Sequence, residues 1–80
     1  MTDYEQQRYQ ALFEMFDSKG WSHFLEDVQH DIELNNNVLA CKNAEELHFR
    51  KGILTTLGVI KGLKDNTYAQ YNAAIEDDET

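Results

Sequence analysis

Two apolar stripes at helical spacing, separated by a short polar break, constrain this chain more than any other feature. One runs Trp21, Phe24, Leu25, Val28, Ile32, Leu39; the other runs Phe49, Ile53, Leu57, Ile60. At 100° per residue the first set falls within a ~100° sector, which marks one buried face of a helix. The break near Lys42-Asn43 is short, so the two helices are expected to lie antiparallel as a hairpin over about 21–40 and 44–61. Trp21, Phe24, Val28, Ile32, Ile53 and Leu57 are the expected core anchors. No stretch shows strand-like alternation, and no segment repeats. The predicted class is all-α.

Helix ends must be read from caps and glycines, because the chain has no proline. Thr2 with Glu5, and Asn43 with Glu46, have capping-box spacing. The first opens a helix over about 3–16, with Tyr9, Leu12, Phe13 and Phe16 on its apolar side, expected to pack across the hairpin. Asp17-Ser18-Lys19-Gly20 then breaks the period. Gly20 is a candidate left-handed stop, and Ser18 a candidate cap for the next helix. Asn35-Asn36-Asn37 weakens the end of the second helix, because Asn side chains compete for backbone hydrogen bonds. Gly62-Leu63 predicts a Schellman ending, with Leu63 folded back on Leu57. Tyr68, Tyr71 and Ile75 stay in phase with the third helix, which predicts a short helix over about 67–75. The expected organisation is one helical domain over 1–75 and a solvated acidic tail over 76–80.

Eighty residues bury a modest core, and domains this small often add disulfides, metals or partner subunits. Cys41 is the only cysteine, which excludes an intrachain disulfide. No apolar run approaches the ~20 residues that span a bilayer. The polar start, Met1-Thr2-Asp3-Tyr4-Glu5, lacks the apolar core of a signal peptide. Both point to a cytoplasmic protein where it is made, without membrane association.

The net charge of −8 is uneven. Residues 1–41 carry −6, residues 42–64 carry +3 and residues 65–80 carry −5. Phosphate binding calls for a dense basic patch, and five cations scattered along one segment do not make one, so no direct nucleic-acid contact is expected. The acids of the second helix, Glu26, Asp27, Asp31 and Glu33, spread around its polar side. That argues against mimicry of a phosphate backbone.

Chemistry-bearing groups are sparse. His23, Asp27 and His30 share a helix side at metal-ligand spacing. That side lies opposite the apolar stripe, so it faces water, and no fourth ligand is evident. Cys41 sits near a helix C-terminus, where the dipole opposes a thiolate, and reads as a small apolar residue. There is no nucleophile–base pair, catalytic carboxylate pair or phosphate loop, so no enzyme activity and no cofactor are expected. Gly52, Gly58 and Gly62 each cost ~1 kcal/mol against alanine in a helix interior. Close packing against a neighbouring helix or subunit is the reading that would account for them. Tyr4, Tyr9, Phe13 and Met15 exceed what one small core covers. The expected partner surface is therefore Tyr4, Tyr9, Phe13, Gly52, Gly58 and Gly62.

Gly20-Trp21 before an amphipathic helix, then Glu45-Glu46-Leu47 and Phe49-Arg50-Lys51-Gly52 leading into Leu54-Thr55-Thr56-Leu57, resembles a known pattern. It is similar to a group of small helical-hairpin proteins of tailed bacteriophages, often encoded near virion-assembly genes. The resemblance covers about residues 18–63 and leaves Tyr68–Thr80 outside it. Roles in that group are largely unassigned, so it implies no catalytic residues. With the hairpin, the absence of any catalytic constellation and the apolar excess on the first and third helices, the expected function is that of a non-enzymatic phage protein that works through protein–protein contacts, as a virion-associated or assembly component, in the host bacterial cytoplasm or the virion. The partner would be a phage virion protein, a second copy of this chain, or a host protein. An acidic host-takeover inhibitor, bound to a host enzyme or nucleic-acid-binding protein, is the alternative.

Overall fold

A computed structural model describes residues 1–37 and 41–79. Among these the chain forms four helices and no strand: α1 Asp3–Phe16, α2 Lys19–Asn35, α3 Ala44–Lys61 and α4 Leu63–Glu79. The all-α class and the helical hairpin hold. The bounds expected for the first and third helices match.

Local chemistry explains most of these bounds. Thr2 is extended, and its hydroxyl accepts from the Glu5 N–H at 3.1 Å, which starts α1. Ser18 caps α2, accepting from the Trp21 N–H at 3.1 Å while its own hydroxyl donates to the Met15 carbonyl at 2.6 Å. One side chain thus closes α1 and opens α2. No glycine among the described residues takes positive φ, so Gly20 is not a left-handed stop; it lies in the first turn of α2. Asn43 starts α3 by accepting from the Glu46 N–H at 2.8 Å.

Three expectations about helix ends need correction. First, α2 ends at Asn35 rather than near residue 40, where the Asn35 side-chain amide donates back to the Asp31 carbonyl at 2.8 Å. Leu39, the last residue of the first stripe, lies outside the described residues. Second, Gly62 interrupts the chain for a single residue, and its carbonyl accepts from the Asn66 N–H at 3.0 Å to begin α4. Leu63 starts that helix and is exposed instead of folding back. Third, α4 is longer than the expected short helix over 67–75. It takes in Glu76–Glu79, which are not a separate tail.

Packing divides the chain into two compact units, Met1–Ser22 with Gly62–Thr80, and His23–Lys61. In the first, α1 packs along α4. Met1 reaches Asp78, Tyr9 meets Tyr71 and Phe13 meets Tyr68, so the two helices run antiparallel. Within this unit the helix that packs against α1 is α4. Phe16, Trp21 and Thr67 are buried here, with the Phe16 and Trp21 rings 5.0 Å apart. Trp21 thus anchors the α1–α2 junction. In the second unit, α2 and α3 form the hairpin. Lys61 Nζ donates to Gln29 Oε1 across it at 2.5 Å. Val28 is buried, and Leu25, Ile32, Ile53, Leu57 and Ile60 are half-buried.

Phe24 departs from the expected core, at 47% exposed. It lies at the margin of the α2 sector, about 60° from Trp21 by helical geometry. One neighbouring helix shields the middle of such a sector and leaves its edge in water.

Candidate functional site

The most distinctive surface lies on α3. Starting from Gly52, steps of 100° place Glu45, Phe49, Gly52, Thr56 and Val59 within a ~80° sector. All five are exposed. Phe49 is 69% exposed and Val59 61%, so two large apolar side chains stand in water about three turns apart. Beside Phe49 is a shallow groove of ≈ 500 Å³, lined by His48, Phe49, Gly52, Ile53, Thr56 and Leu57. Gly52 makes the notch: a Cβ added there meets nothing within 4 Å. The Thr56 hydroxyl donates to the Gly52 carbonyl at 3.1 Å, so its hydrogen-bonding capacity is spent on the helix's own backbone. What the groove offers is apolar shape, with only Glu45 and His48 as titratable groups along it.

The expected partner residues scatter. Gly52 is in the groove. Gly58 lies about 120° away on the wheel and meets open space, so close packing within the chain does not account for either glycine. Gly62 is the turn residue between α3 and α4. Tyr4 stands out from the first unit at 73% exposed. Tyr9 and Phe13 are half-buried instead, in a cluster with Tyr68 and Tyr71. The Phe13 and Tyr68 rings stack at 4.3 Å with 5° between planes, and Tyr71 meets Phe13 edge-on at 5.1 Å. A second cleft of ≈ 280 Å³ borders this cluster, lined by Gln6, Gln10, Phe13 and Tyr71.

Phe49 was grouped with the buried stripe, and its exposure overturns that. Leu47, Ile53, Leu54, Leu57 and Ile60 are the half-buried apolar residues of α3, and their sector is centred about 90° from Phe49. Counting Leu47 and Leu54 in the stripe would have moved Phe49 to its margin. Thr56 and Val59 carry no sequence signal of their own; it is their exposure on the Gly52 side of α3 that marks them.

Electrostatics around α3 are local. Glu46 accepts from the Lys42 N–H at 3.1 Å and from Arg50 Nη2 at 3.2 Å. The Lys42 hydrogen bond first, then Arg50, hold its carboxyl below the usual glutamate range. In the first unit, Asp78 accepts from the Met1 α-ammonium at 2.5 Å, and this hydrogen bond raises the pKa of the amine.

His23, Asp27 and His30 are all exposed, and no three potential ligands among the described residues converge as a metal site. His23 lies 3.6 Å from Glu26. Cys41 is half-buried, its thiol 3.8 Å from the Asn37 carbonyl oxygen. Among the described residues, no helix is long and apolar enough to cross a membrane. No protein-family model, curated protein or solved structure matches this chain.

Proposed function

We propose that this chain is a small non-enzymatic phage protein that acts through protein–protein contacts, as a virion-associated or assembly component. The observation that carries the contact role is the α3 groove, where exposed Phe49 borders a glycine notch and exposed Val59 continues the same helix face. Exposed apolar groups concentrated around a notch are what a partner's side chains fill, and a large aromatic is a frequent anchor at such sites. The phage origin, with a place in the host bacterial cytoplasm or the virion, rests on the resemblance over residues 18–63.

Mass spectrometry of purified particles, with capture of virion proteins on the immobilised chain, tests the reading. The chain is expected in particles, and Phe49→Asp is expected to abolish capture while leaving helix content unchanged. Absence from particles together with capture indifferent to Phe49→Asp would remove the structural role. The alternative, an acidic inhibitor of a host protein, draws on the exposed carboxylates of α2 and of the C-terminal end of α4. Binding of that kind falls steeply with added salt, whereas apolar docking does not.

A further inference from the structure

We draw no further inference here: the strongest candidate, the shallow groove beside Phe49 on the exposed face of α3, carries nothing beyond the contact role already proposed for it, because nothing in the structure shows what covers it.

Discussion

Glu46 ties the backbone ahead of α3 to a side chain one turn into it with a single carboxylate. One oxygen accepts from the Lys42 N–H ahead of α3, and the other accepts from Arg50 one turn into it. Its lowered pKa sets the direction of a pH effect. The stabilisation is present above the ordinary glutamate value of about 4.3 and is lost as pH falls through the lowered one. An NMR titration should place the Glu46 midpoint below that ordinary value. Lys42→Pro, which deletes the N–H, should raise it further than Arg50→Ala does. Gly58 offers a second residue-scale test. It is inside α3, off the groove face and next to open space, so Gly58→Ala should stabilise by up to ~1 kcal/mol in urea unfolding. A loss of stability would mean that something packs against Gly58.

At the scale of elements, caps were legible in the sequence and packing partners were not. Thr2 and Asn43 act through neighbours three residues away, so α1 and α3 start where expected. Ser18 was readable only as one of two candidates, because a glycine two residues on offered a competing stop. Only the geometry shows Ser18 accepting from the Trp21 N–H. Ser18→Ala should therefore cost about 1 kcal/mol, measured by chemical denaturation. Gly20→Ala, which a left-handed stop would forbid, should be tolerated. The partner of α1 was not legible, since periodicity names a helix's buried side but not the helix that covers it. The cluster of Tyr9, Phe13, Tyr68 and Tyr71 supplies that answer. A double-mutant cycle on Phe13 and Tyr68 should return a coupling of ~0.5–1.5 kcal/mol. The groove was half-legible: the glycines drew attention to α3, but the bulky residues beside the notch became visible only through their exposure.

For the whole molecule, the small number of well-buried groups matters most. Phe16, Trp21 and Val28 are the buried apolar side chains among the described residues. Val28→Ala removes buried methyl groups from a core with little in reserve, and a loss of roughly 1–3 kcal/mol is expected. If the partner is a second copy of this chain, the melting temperature should rise with protein concentration, because association draws on the folded state alone. A melting temperature independent of concentration would count against that partner.

The placement of Trp21 turns the chain into its own reporter. It is the only tryptophan, and it sits against Phe16 in the unit built from α1, α4 and the first turn of α2. Its emission therefore senses water entering that unit, while circular dichroism at 222 nm sums over all four helices. Overlaid melts from the two signals would show whether the α2–α3 hairpin unravels with that unit or on its own schedule. No label or engineered probe is needed.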